Sequence, residues 1–273
     1  MKKTVVFLLV VLILASVVTK VYSNTIECPT PKSLMLHSAY GSERMEQLAQ
    51  ELINGGYITM TYSQLYDLWD KGQCPPKNAV LVSLDDLSGV WLRHTFVEMV
   101  DVFLKYNLKL TLGVISNNKD SKQDPLLWDY FKDLDEKGIE IASHSTNHYN
   151  LPELNKAGVE IELNQSYDII CEHLGKCPET FVLPFGNGRD DKRVLEVAKG
   201  KYRSLVSIAG PDTYSGDLFI LKRISPYNDN QNVTIQLLER SFIWFETEKV
   251  VITETGNTNT ARRKLEIFKI IPM

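Results

Sequence analysis

Apolar runs alternate with amphipathic stretches from residue 79 onward. Residues 79–84 (AVLVSL) form a continuous apolar run with the length of a buried strand. Residues 91–106 follow with Trp91, Val97, Val100 and Leu104 at helical spacing. The alternation continues with a strand over 108–115 (LKLTLGVI) and a helix over 126–137, stopped by Gly138, a residue suited to the left-handed position after a helix. A strand over 139–142, a helix over 153–174, a strand over 180–184, a helix over 191–199 and a strand over 203–208 complete the series. Buried strands alternating with helices predict a parallel sheet covered by helices. So many strand–helix units favour closure into a barrel over an open sheet. The tail changes character: 249–254 and 264–271 read as two strands around the polar turn 255–261, an appended β-hairpin. The chain has no internal repeat, no Pro/Ser-rich linker and no shift of composition, which predicts one domain over 24–273.

The first residues set the compartment. Lys2 and Lys3 precede an unbroken small-and-apolar run over 5–18, closed by Lys20. That run is shorter than the roughly 20 residues a membrane helix needs. A basic, then apolar, then polar succession predicts a secretory signal peptide over 1–23, cut after Ser23. The alternative is an uncleaved N-terminal anchor, and both place the body outside the cytoplasm. Cys28, Cys74, Cys171 and Cys177 suit an oxidising compartment. Four cysteines allow three pairings; the short Cys171–Cys177 loop is favoured, which leaves Cys28–Cys74. There is no C-x-x-C. The 273 residues carry 30 Lys+Arg against 34 Asp+Glu, a net charge of −4, so there is no basic footprint for nucleic acid. With 44% hydrophobic and 23% charged residues, a disordered chain is excluded.

Parallel α/β folds carry their chemistry at the carboxyl ends of strands. One predicted strand ends in Leu84-Asp85-Asp86, another in Ser143-His144-Ser145-Thr146-Asn147-His148, and another in Leu183-Pro184-Phe185-Gly186. Two histidines four apart plus one carboxylate make a His₂-carboxylate site that leaves positions for water and substrate. A bound metal lowers the pKa of a water and polarises a carbonyl. The second carboxylate of the pair can take the proton from that water. The reaction class is metal-assisted hydrolysis of an amide or ester. An Asp pair alone is commonly a helix cap, and a spaced histidine pair alone has many other uses. Their coincidence at neighbouring strand ends, in a chain of five histidines, is the signal. His94 and His173 fall within predicted helices and read as packing residues.

The succession LVSLDD, KLTLGVI, GIEIASHSTNH and TFVLPFG, within residues 34–226, resembles the polysaccharide deacetylase family, the NodB-homology or carbohydrate esterase family 4 proteins. Upstream, residues 34–37, Gly56-Tyr57 and Leu65 are most similar to its poly-N-acetylglucosamine deacetylase branch. The resemblance implies a distorted (β/α) barrel that removes N-acetyl groups from an amino-sugar polymer of the poly-N-acetylglucosamine, chitin or peptidoglycan type. It implies Asp85 as general base, and Asp86, His144 and His148 as ligands of a divalent metal, usually Zn²⁺. It places Pro184 and Phe185 on the wall of the substrate groove and Leu151 on the acetyl pocket; Tyr149, directly after His148, is placed by its position to face that groove. Residues 227–273 become a C-terminal extension. The chain departs from the family at three points. Leu87 stands where Gly is usual after the Asp pair, and Val182-Leu183 replace the arginine common before the third motif. Arg223 is the nearest later arginine that could orient Asp85. No histidine follows His173, so the family's late proton donor has no counterpart; His37 is the candidate general acid in its place. Two further readings are a carbohydrate-binding module that has lost turnover and a deacetylase of a substrate outside amino sugars.

Overall fold

The computed structural model describes residues 25–87, 95–117, 125–208, 219–224, 248–253 and 264–267. The expected signal segment, Trp91, His94 and the turn 255–261 lie outside the described residues. Eleven strands are present among the described residues: β1 Thr25–Pro29, β2 Lys32–Leu36, β3 Ile58–Met60, β4 Ala79–Leu87, β5 Thr111–Val114, β6 Glu140–Ser143, β7 Thr180–Val182, β8 Ser204–Ile208, β9 Ile220–Arg223, β10 Glu248–Thr253 and β11 Lys264–Ile267. The helices are α1 Ser42–Asn54, α2 Tyr62–Asp70, α3 Val97–Lys105, α4 Pro125–Glu136, α5 Lys156–Leu174 and α6 Lys192–Lys199.

Seven strands run parallel in the order β2-β4-β5-β6-β7-β8-β9. The sheet then meets its own first strand. Leu34 of β2 bridges Ile224, the residue after β9, with Met35 N donating to Ile224 O at 2.9 Å and Ile224 N to Ser33 O at 2.8 Å. The expected barrel therefore closes, through one bridge among the described residues. The short β3 pairs with the first residues of β4, before β5 takes over from Ser83. The predicted tail strands pair antiparallel as β10 and β11. β1, from the other end of the described chain, adds a third strand to them. Cys28–Cys74 and Cys171–Cys177 are the disulfides. Among the described residues no helix is long and apolar enough to cross a membrane.

Strand alternation divides the side chains into two sets. On β4, Val80, Val82 and Leu84 face outward into a cluster with α1, α3 and α4, including Met45, Leu48, Phe103 and Phe131. Ala79 and Leu81 point inward and pack with Ala142, Val182, Val206 and Leu221 from the neighbouring strands, over Tyr62, Tyr66 and Trp69 of α2. Helix α2 thus plugs one end of the barrel. The inward row of β6 reads Glu140, Ala142, then His144 just beyond the strand, so one strand carries the plug's anchor and a site residue at opposite ends.

Glu140 is buried and holds the plug. It accepts from the backbone N of Tyr62 at 2.9 Å, from the hydroxyls of Thr111 and Thr180 at 2.8 and 2.7 Å, and from Ser63 Oγ. A carboxylate at the first turn of α2 also complements the helix dipole. Thr61 and Gln64 complete that turn as a capping box. Glu140→Ala strands these donors in a buried site and is expected to cost about 3 kcal/mol in urea unfolding. A loss below about 1 kcal/mol would show that the plug is held by apolar packing alone.

Candidate active site

The site lies at the end of the barrel opposite the plug. A regular strand would send Asp85 and Asp86 to opposite faces. β4 avoids this with a register shift between Leu84 and Leu87 against β5, where Asp86 adopts φ 65°. Asp tolerates that left-handed conformation better than most residues. The bulge re-aims a side chain at the rim, and both carboxylates join the site. Leu87 then returns to the outer apolar cluster, fully buried.

Asp86 Oδ1 lies 3.1 Å from His144 Nε2 and 3.1 Å from His148 Nε2. Ligand atoms of these three residues lie within 4.8 Å of one another. Bonds of about 2.0–2.2 Å to one ion would hold such atoms roughly 3.3 Å apart, so the spacing fits a shared cation. The hydrogen bonding points the same way. His144 Nδ1 is 2.9 Å from the carbonyl of Val182, which can only accept. Nδ1 therefore carries the proton, the usual outer-shell arrangement for a ligating imidazole. His144 Nε2 faces the Asp86 oxygen, which it meets as an N–H donor when the ring is charged and through its lone pair when a cation lies between them. Burial opposes the Asp86 charge, but hydrogen bonds and the fields of His144 and His148 outweigh it and hold its carboxyl well below the usual carboxylate range.

Asp85 is almost wholly buried. Arg223, fully buried, reaches both its oxygens through Nη1, at 2.7 and 2.6 Å, and donates to Ser83 Oγ at 2.7 Å. Neither charge would be tolerated there alone. This arginine comes from the last position of β9. Gly113 of β5 keeps the centre open. A Cβ there would lie 3.3 Å from Asp85 Oδ1 and 3.5 Å from the His144 ring.

The remaining expected residues distribute around this centre. His37, just after β2, places Nε2 3.7 Å from Asp86 Oδ2, on the carboxylate oxygen that the other histidines leave free. The Phe185 ring packs against His148 at 4.6 Å between centroids and is 55% exposed. Its φ of 57° is left-handed, a strained conformation of the kind that collects at binding sites. Phe185 borders an open cleft of about 510 Å³, also lined by Pro152, Asn187, Arg189 and Ile208. Pro184 is buried beneath, and Tyr149 is exposed beside His148. Leu151 has no exposed surface and packs among Val159, Leu163 and Leu183. His173 stacks on Trp128 at 4.4 Å and belongs to helix packing.

Sequence reasoning passed over Glu162. It falls on the buried stripe of α5 with Val159, Leu163, Ser166 and Ile170, and it binds the loop that carries His148. A charge on an otherwise apolar helical face was the available signal.

With this geometry, the chain's relatives can be set beside it. Residues 72–203 match the family model described as polysaccharide deacetylase. Chitin deacetylase 1 of Cryptococcus neoformans var. grubii serotype A is 27% identical over 128 residues, 47% of this chain and 25% of the relative. The match therefore spans about a quarter of that relative's own length. The Streptococcus pyogenes deacetylase PplD, solved in complex with acetate, shares the fold with a TM-score of 0.63 at 20% identity, covering 80% of this chain and 98% of that one. A de-N-acetylase from Aggregatibacter actinomycetemcomitans gives 0.61 at 18% identity, covering 76% and 98%.

Arg223→Met leaves Asp85 buried without its partner. The expected cost is about 3–5 kcal/mol in urea unfolding. A cost under about 1 kcal/mol would mean that Asp85 finds another partner or water in the folded state.

Proposed function

We propose that this chain, which carries a polysaccharide deacetylase domain, is an extracytoplasmic, metal-dependent hydrolase that removes N-acetyl groups from an amino-sugar polymer. The observation that carries the reading is one cluster: Asp86, His144 and His148 with converging ligand atoms, next to Asp85 clamped by Arg223. Two disulfides and the basic–apolar–polar N-terminus support the compartment.

Asp86, His144 and His148 would hold the divalent ion, and zinc suits one carboxylate and two imidazoles. Such an ion supplies Lewis acidity, polarising the acetyl carbonyl and easing ionisation of a water. Asp85 takes the proton from the attacking water as its oxygen bonds to the acetyl carbon. Arg223 keeps the Asp85 carboxylate in one orientation throughout. The carbon–nitrogen bond then breaks, and the departing nitrogen must gain a proton to leave as an amine. His37 is the donor in this reading, because it sits beside Asp86 and no histidine follows His173. The products are acetate and a free amino sugar. The exposed faces of Phe185 and Tyr149 suit the apolar face of a pyranose ring, and the open cleft beyond Phe185 leaves room for a neighbouring sugar. The polymer class is read as poly-N-acetylglucosamine, chitin or peptidoglycan.

The test is acetate release from N-acetylglucosamine oligomers. Release is expected to vanish with chelator and return with added Zn²⁺. No release by zinc-loaded protein would contradict the reading and shift weight to a module that binds sugar without turnover or to a substrate outside amino sugars. Asp85→Asn is expected to lower kcat by roughly 10²–10⁴-fold, and His37→Ala by roughly 10²-fold, the scale of losing a general base or acid. Unchanged turnover in His37→Ala would remove His37 from the mechanism.

A further inference from the structure

Two of the three ligands come from one five-residue turn, and that turn is strained. Ser145 and His148 both adopt left-handed backbone, with φ 68° and 60°. Each non-glycine residue held there costs about 1 kcal/mol or more. Something must hold the turn in this form. Within it, Ser145 Oγ accepts from His148 N at 2.9 Å. From the β5 side, Ser116 N donates to Ser145 O at 3.1 Å and Asn117 N to Thr146 O at 2.8 Å.

The strongest hold comes from α5. Glu162 is 1% exposed. Its carboxylate accepts from Asn147 N at 2.8 Å and from Asn147 Nδ2 at 2.6 Å. Its backbone carbonyl accepts from Thr146 N at 3.1 Å and Thr146 Oγ1 at 3.0 Å. Because a carboxylate can only accept, it also fixes the orientation of the Asn147 amide. Asn147 Oδ1 then faces away and accepts from Asn117 Nδ2 at 2.8 Å. A continuous chain of bonds runs from Asn117, in the turn after β5, through Asn147, the residue that precedes His148, to α5. Charge-assisted bonds of this kind are about twice as strong as neutral ones.

We propose that Glu162 is a positioning residue for the metal centre: with Asn147 it clamps the strained turn from which His148 projects, and so sets the affinity for the ion. The inference rests on the metal-dependent reading above. Glu162 touches none of the reacting atoms, and its effect passes through the placement of the His148 ring. Glu162→Gln is nearly isosteric but places an amide N–H₂ against one of two N–H donors of Asn147. One bond of the clamp is then lost and replaced by a repulsive contact.

The experiment measures zinc affinity of the full chain by competition with a chromophoric chelator, with folding checked by circular dichroism. Glu162→Gln is expected to weaken zinc binding roughly 10–100-fold, the range for outer-shell partners of a metal site. Asn147→Ala keeps the backbone donor and loses the side-chain amide; it is expected to weaken binding roughly 10-fold, and it decides the matter if Glu162→Gln does not fold. Glu140→Ala is the control, a buried carboxylate removed from the opposite end of the barrel. It is expected to lower stability while leaving zinc affinity within about twofold of the wild type, since it touches no outer-shell partner. Folded Glu162 or Asn147 variants that bind zinc like the wild type would overturn the inference and leave the deacetylase reading intact. An equal loss of affinity in Glu140→Ala would overturn it too, by reducing the effect to general destabilisation. A wild-type chain that binds no zinc would overturn both.

Discussion

Asp85 and Arg223 are buried together, and that pair sets terms for the whole barrel. A carboxylate with almost no access to water cannot be left alone, and neither can a guanidinium. The pair joins β4 to β9, strands far apart in sequence that only closure of the barrel brings face to face. The residue after Arg223 makes the closing bridge to β2. Closure of the fold and charge compensation of Asp85 are therefore one event in space. That bridge is little in backbone hydrogen bonding, and the buried ion pair beside it ties the same seam from within.

The second constraint is local and concerns direction. Strand geometry alternates, whereas this site needs two consecutive carboxylates on one side. The β4 bulge meets that need with one left-handed aspartate. A comparable device supplies the histidines, where two left-handed residues fold a five-residue turn back on itself. Local strain is thus concentrated at the open end of the barrel, and relaxed strand geometry with ordinary packing fills the plugged end. Glu140 and Glu162 serve these ends in the same way: each is a buried carboxylate whose lone pairs are spent on backbone and side-chain donors of a neighbouring element.

Much of this was legible in the sequence, for identifiable reasons. The strands of the parallel sheet are short and mostly apolar, so 79–84, 139–142 and 203–208 fell close to β4, β6 and β8. Asp86, His144 and His148 were legible because short loops after strands keep sequence motifs together in space. β9 was not, since Ile220-Leu221-Lys222-Arg223 is short and half charged; Arg223 was reachable only through the absence of an arginine before Pro184. The bulge and the turn are invisible to periodicity, because they depend on backbone angles that neighbouring elements impose.

The most direct test of the central claim is a crystal of the zinc-loaded protein measured on both sides of the zinc absorption edge. The account predicts one anomalous peak per chain about 2.0–2.2 Å from an Asp86 oxygen, His144 Nε2 and His148 Nε2, with Asp85 still on Arg223 and free of the ion. A peak elsewhere, or an ion that draws Asp85 into its coordination sphere and away from Arg223, would contradict it.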